Sequence, residues 1–256
     1  MHRCLPFKRL DPATPSLVQD VLRLANKYEM VQLRQRIIMH LEGDWPQSLW
    51  KWDRLEAEIR ASILSWEDES AQTGLIGYPD DHLPEPASAI ALARSCDVPS
   101  ILPAAFYHLS RLSIYNDRHM SRRAPGSACL NPSYHDSLIE GQRTVDWRLL
   151  STTDYMALLK GRAALAAASQ ELFTPITASM YSACDCNKDR QIALMEEMRD
   201  VCRRSPDILE TTRWYLARED LGENVCGMCR ARMRRELRTF RHMIWAQLPE
   251  YFPLIM

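Results

Sequence analysis

Apolar residues in this chain recur every three or four positions over long stretches, and strand-like alternation is nearly absent. Such spacing places apolar side chains on one face of an α-helix. It predicts an all-α fold, a multi-helix array with long polar loops, with short strands expected at most near Thr144–Trp147. The chain holds 8 glycines against 15 prolines, which leaves little material for tight hairpins or phosphate-cradling loops. With 46% hydrophobic and 25% charged residues among 256, it can bury the core of one large or two modest domains.

Three helical blocks follow. The first spans residues 15–66. Leu17, Val21, Leu24, Ala25 and Tyr28 mark one stripe, and Leu33, Ile37 and Leu41 repeat the period. Trp45-Pro46 should stop that run, because proline disfavours helical geometry in the residue before it. Leu49, Trp52, Leu55, Ile59 and Ile63 then mark a further helix. Residues 67–86 carry Gly74, Gly77, Pro79, Pro84 and Pro86 and read as a loop. The remaining 87–256 form a helical C-terminal domain with a polar, mobile insert at 113–143. Within it, one helix should stop at Cys96-Asp97-Val98-Pro99, and Pro103 fits only the first turn of the next. Ser151-Thr152-Thr153-Asp154 has the pattern of a helix N-cap, and a last long helix is expected over 226–247, ending at Leu248-Pro249.

Several function classes find no support. A formal net charge of −1 gives no overall field toward nucleic acid or acidic lipid. The first nine residues lack the apolar core of a secretory signal, and no run approaches the ~18 apolar residues of a membrane span. An intracellular protein of the cytoplasm or nucleus is therefore expected, with its eight cysteines as thiols or metal ligands rather than disulfides. No G-x-G-x-x-G, P-loop, H-E-x-x-H or G-x-S-x-G sequence occurs.

Val21-Leu22-Arg23-Leu24-Ala25-Asn26-Lys27-Tyr28-Glu29-Met30, followed by Leu33-Arg34, resembles the last helical hairpin of BTB/POZ domains. The stretch from Leu41 to Pro46, that from Ala89 to Tyr107, the Cys226-Gly227-Met228-Cys229 run and Trp245-Ala246-Gln247-Leu248-Pro249 resemble, in that order, the fungal family of BTB/POZ-domain proteins. The likeness covers most of residues 15–256. Only 14 residues precede Pro15, so the strands that normally come before the hairpin are missing from the pattern. The resemblance thus implies the C-terminal helical part of such a protein, acting through protein contacts. A cullin ubiquitin-ligase adaptor role, which rests on the missing core, is the weaker implication.

Cysteine spacing suggests a metal site. Cys184-Asp185-Cys186 and Cys226-Gly227-Met228-Cys229 are two close pairs, able to surround one Zn²⁺ tetrahedrally if a helical hairpin over 188–218 brings them together. Such a site, Cys184, Cys186, Cys226 and Cys229, would be structural, since four thiolates leave no open position. The alternative is that these are thiols packed as small hydrophobes; the resemblance favours the metal. Arg230, Arg234, Arg238 and Arg241 fall at helical spacing opposite Met233, Leu237, Phe240, Ile244 and Leu248. A solvated basic face explains them better than a phosphate-binding helix, although a nucleic-acid-associated regulator remains the alternative function. Glu56 with Glu58, and Glu196 with Glu197, read as solvated helix faces. Cys96 reads as a core thiol, and Trp45, Trp50, Trp52 and Trp66 read as core rather than interface. No catalytic or cofactor-binding group stands out beyond the metal, so the expectation is a non-enzymatic protein-interaction module.

Overall fold

A computed structural model describes residues 8–73, 78–121, 142–172, 188–221 and 226–253. Nine helices of more than two turns run through them: α1 (Thr14–Lys27), α2 (Val31–Asp44), α3 (Leu49–Thr73), α4 (Pro86–Cys96), α5 (Leu102–Arg111), α6 (Thr152–Gln170), α7 (Lys188–Arg204), α8 (Ile208–Ala217) and α9 (Gly227–Tyr251). The fold is all-α. Where strands were expected, the described residues hold one isolated parallel bridge, Asp117 to Val145.

Local chemistry explains most boundaries. Glu85 caps α4, its carboxylate accepting from the Ala87 and Ser88 amides, with Pro86 in the first turn. That helix ends at Asp97, whose φ of 53° turns the chain left-handed. Pro103 does sit in the first turn of α5. At α6 a capping box forms: the Asp154 amide donates to Ser151 Oγ at 3.2 Å, and the Ser151 amide to Asp154 Oδ2 at 3.0 Å.

Two ends differ from the sequence reading. The third helix continues to Thr73, past the loop start placed at Glu67. Helix α9 runs through Pro249 to Tyr251, with the proline inside its last turn. Residues 74–77 of the expected loop and 122–141 of the expected insert lie outside the described residues.

The chain divides into two compact units, one of residues 1–158 with 254–256, the other of 159–253. In the first, α1 packs on α2 and α4, and α4 on α5. Ala87, Ala89 and Ala93 of α4 are buried, and their small side chains let neighbouring helices approach closely. Val18, Leu22, Ile37, Leu41, Trp52, Ile90, Phe106 and Tyr107 fill the core.

The second unit contains the hairpin α7–α8 and the long α9 packed on α8. Met195, Met198, Cys202, Leu209, Met233, Leu237 and Ile244 are buried there. Gly161 lies under the ring of Phe252, so closely that an added Cβ would overlap the ring carbons. Gly161→Ala gains helix propensity of about 1 kcal/mol but forces an overpacked core costing about 1–3 kcal/mol. A net loss of stability is expected in thermal unfolding, against the usual sign of glycine-to-alanine changes in helices.

Candidate functional site

Buried charge is concentrated in the first unit, where the 79–85 segment meets α3, α5 and residues 143–146. Asp80, 2% exposed, accepts from the Thr144 amide at 3.2 Å, the Thr144 hydroxyl at 2.5 Å and Arg118 at 3.3 Å. Arg143 lies 3.8 Å from Asp80 and donates to the Pro84 carbonyl. Burial lowers the Arg143 guanidinium to about 10, opposed by Asp80 and Glu56, so it stays charged at neutral pH. Glu85 accepts from the Asp146 amide at 3.2 Å and ties in the same segment.

Beside this group, Glu56 takes Arg111 at 2.7 Å, and that guanidinium lies 4.8 Å over the Trp52 ring. Glu56 is thus an ion-pair partner between helices, not the solvated carboxylate expected. Glu58 is likewise paired, with Arg9 at 2.8 Å and Arg54 at 2.9 Å, whereas Glu196 and Glu197 are exposed as expected. His108 is fully buried beside Arg111; burial first, then Arg143 and Arg111, lower its pKa, so it is a neutral acceptor toward Arg111. These groups bond to each other and to backbone, the pattern of a network that fastens two irregular segments to the helices.

Asp44 closes the C-terminal end of α2, accepting from the Leu10 amide at 3.2 Å. Burial raises its pKa from 3.8 to about 6, against opposing contributions from the Leu10 amide and Arg9. A carboxyl raised in the folded state stabilises the fold below its unfolded pKa, and that contribution is lost as pH rises through about 6. Asp44→Asn is therefore expected to gain about 1–3 kcal/mol at pH 7 and nothing at pH 3, read from urea unfolding at both values.

Half of the expected cysteine set lies in the described residues. Cys226 stands at the N-terminal boundary of α9 and Cys229 is buried in its first turn, while Cys184 and Cys186 lie outside the described residues. The hairpin expected between the two pairs is present as α7–α8. Among the described residues, no cluster of three or more His, Cys, Asp or Glu side chains is placed to hold a metal. Cys96 is buried at the end of α4, as expected, and burial pushes the Cys202 thiol up to about 12.

The arginine helix divides. Arg234 donates to the Leu216 and Arg218 carbonyls at 3.0 and 2.5 Å, closing the end of α8, and Arg241 is buried. Arg235 and Arg238 are exposed, and the five apolar residues of the opposite stripe are all buried. Arg230–Arg241 is therefore not one continuous basic face.

The largest departure lies on α1. Most of its expected core stripe points outward: Leu17 is 57% exposed, Leu24 53% and Tyr28 63%. Of that stripe Ala25 is buried and Val21 half-buried, and Val18 and Leu22 are buried beside Ala25. At 100° per residue, Leu17, Val21, Leu24 and Tyr28 fall within roughly 60° of arc, and the buried set lies about a quarter-turn away. Met30 and Val31, 47% and 72% exposed, extend the outer stripe across the turn into α2. Lys27 lies 5.3 Å over the Tyr28 ring. Large apolar residues exposed on one helix face mark binding sites more often than scattered single ones do. The tryptophans also split, with Trp45 and Trp52 buried and Trp50 62% exposed.

Among the described residues, no helix is long and apolar enough to cross a membrane. No protein-family model matches the chain, and no curated protein or solved structure matches it.

Proposed function

We propose that this chain is a non-enzymatic protein-interaction module whose binding surface is the outer face of α1. One observation carries the reading: an apolar stripe from Leu17 to Tyr28, continued by Met30 and Val31, lies on the surface of a helix that already buries a second stripe in the core. A tyrosine flanked by cations and aliphatic side chains is the composition of interface hot spots. The resemblance to the C-terminal part of fungal BTB/POZ-domain proteins supports the same class, as does the absence of a recognised catalytic sequence pattern. The setting we propose is intracellular, cytoplasm or nucleus.

The test is a comparison of proteins labelled by proximity in cells. Leu17→Glu with Leu24→Glu should remove a specific set of partners that Arg235→Glu with Arg238→Glu retains. The opposite loss, together with salt-dependent DNA or RNA binding by the wild type, would favour a nucleic-acid-associated role. A structural zinc on Cys184, Cys186, Cys226 and Cys229 belongs to the same proposal, supported by the spacing of the two pairs. Elemental analysis is expected to give one zinc per chain, lost in both Cys184→Ser and Cys229→Ser; a folded wild type without zinc would remove it.

A further inference from the structure

A cleft of about 460 Å³ opens in the first unit between residues 8–10, the 62–66 stretch of α3 and residues 79–83. Its volume falls in the range of roughly 300–1,000 Å³ typical of small-ligand sites. Its lining is uneven in charge. Lys8, Arg9 and His82 contribute three cationic or protonatable groups, and no carboxylate is among the lining residues described.

The fold explains this imbalance. In the Pro79–His82 turn, Asp80 and Asp81 are buried and His82 is exposed. Asp81 accepts from the Tyr78 amide and Asp80 is taken by Thr144 and Arg118, so both carboxylates are used inside the unit. Arg9 is answered as well, by Glu58 at 2.8 Å and the Gly43 carbonyl at 3.2 Å. Among the described residues, Lys8 and His82 have no ion-pair partner. Among the described lining residues, no carboxylate answers these two groups.

The rest of the lining is apolar with two hydroxyls. Pro79 and Leu83 are buried, and Ile63 and Trp66, three apart on α3, share one face of that helix. Ser62 and Ser65 offer donors on the same stretch. The α3 residues are interior to their helix, so no ring of unpaired backbone amides faces the space, as a phosphate site would use. A neighbouring cleft of about 360 Å³ lacks this character, because Glu42 lines it and its Arg54 is held by Glu58.

We infer that the cleft between residues 8–10, α3 and residues 79–83 binds a small aromatic monocarboxylate, its ring against Trp66 and its carboxylate between Lys8 and His82. The site is separate from the α1 stripe, and each can fail without the other.

The probe is 2-naphthoate, titrated calorimetrically into the full chain, with 2-naphthamide as the neutral isostere and 1-naphthyl phosphate as the dianionic one. Saturable binding of the naphthoate is expected, at least about tenfold tighter than either comparison compound. Lys8→Gln with His82→Gln, both exposed positions, should weaken it by about tenfold or more, and Trp66→Ser likewise, with thermal unfolding unchanged for the first pair. No saturable binding up to about 1 mM, or equal binding of naphthoate and naphthamide, overturns the assignment, as does preference for the phosphate.

Discussion

Asp80→Ala is expected to destabilise the unit of residues 1–158 by about 3–5 kcal/mol, because it removes the carboxylate facing the buried Arg143 and leaves the half-buried Arg118 with Asp81 at 3.8 Å. The arrangement carries the number: Asp80 is 2% exposed and accepts three hydrogen bonds, two from Thr144 and one from Arg118. Asp80→Asn keeps an oxygen acceptor for Thr144 and loses only the charge, so a smaller loss is expected. Both are read from urea midpoints at a constant slope with denaturant. If Asp80→Ala lost less than about 1 kcal/mol, the network would not be the fastening that this fold assigns to it.

A comparable loss is expected at Trp52. That ring is 2% exposed, meets Tyr107 edge-on at 5.4 Å and lies under the Arg111 guanidinium. Trp52→Ala leaves a large void and uncovers the Glu56–Arg111 pair, at a cost of about 3–5 kcal/mol. Two residues earlier, Trp50→Ala should change stability by no more than about 0.5 kcal/mol, since its side chain is mostly in water. Chemical denaturation of the two variants side by side separates a core tryptophan from a surface one within a single helical turn.

These two tryptophans show where sequence reading succeeds and where it fails: both were read as core, and only Trp52 is buried. Of the expected stripe on α3, Leu49, Trp52, Leu55 and Ile59 are buried and Ile63 is half-buried. Position 50 falls off the period of that stripe, and the structure places Trp50 outside, against the expectation that it fills the core. The same rule failed on α1, because that helix carries two apolar stripes. Leu17-Val21-Leu24-Tyr28 and Val18-Leu22-Ala25 are equally periodic, and of the five residues expected inside, Ala25 alone belongs to the second. Only the packing of α2 and α4 decides which turns inward, and no local pattern encodes that choice. Caps were legible for a similar reason: Ser151 with Asp154 satisfies amides within four residues, so the sequence alone specifies the contact. The buried network was not. Glu56 meets Arg111 across 55 positions and Asp80 meets Thr144 across 64, and nothing near any of them announces the partner. Arg234 and Arg241 looked like members of a solvated face, but the end of α8 and the core take them. The cleft near Trp66 was equally hidden, because it needs three segments brought together by the fold.

The outward stripe of α1 is the centre of the account, and a photo-reactive amino acid at position 24 tests it most directly. Placed at Leu24 in cells, it is expected to give discrete covalent adducts with another polypeptide, while the same group at the exposed position 235 gives none of those adducts. The adducts should vanish when Tyr28→Glu is introduced, with thermal unfolding of the chain unchanged. Absence of adducts at position 24, or a loss of several kcal/mol of stability on introducing Tyr28→Glu, would show that this face is not a free binding surface and would contradict the proposal.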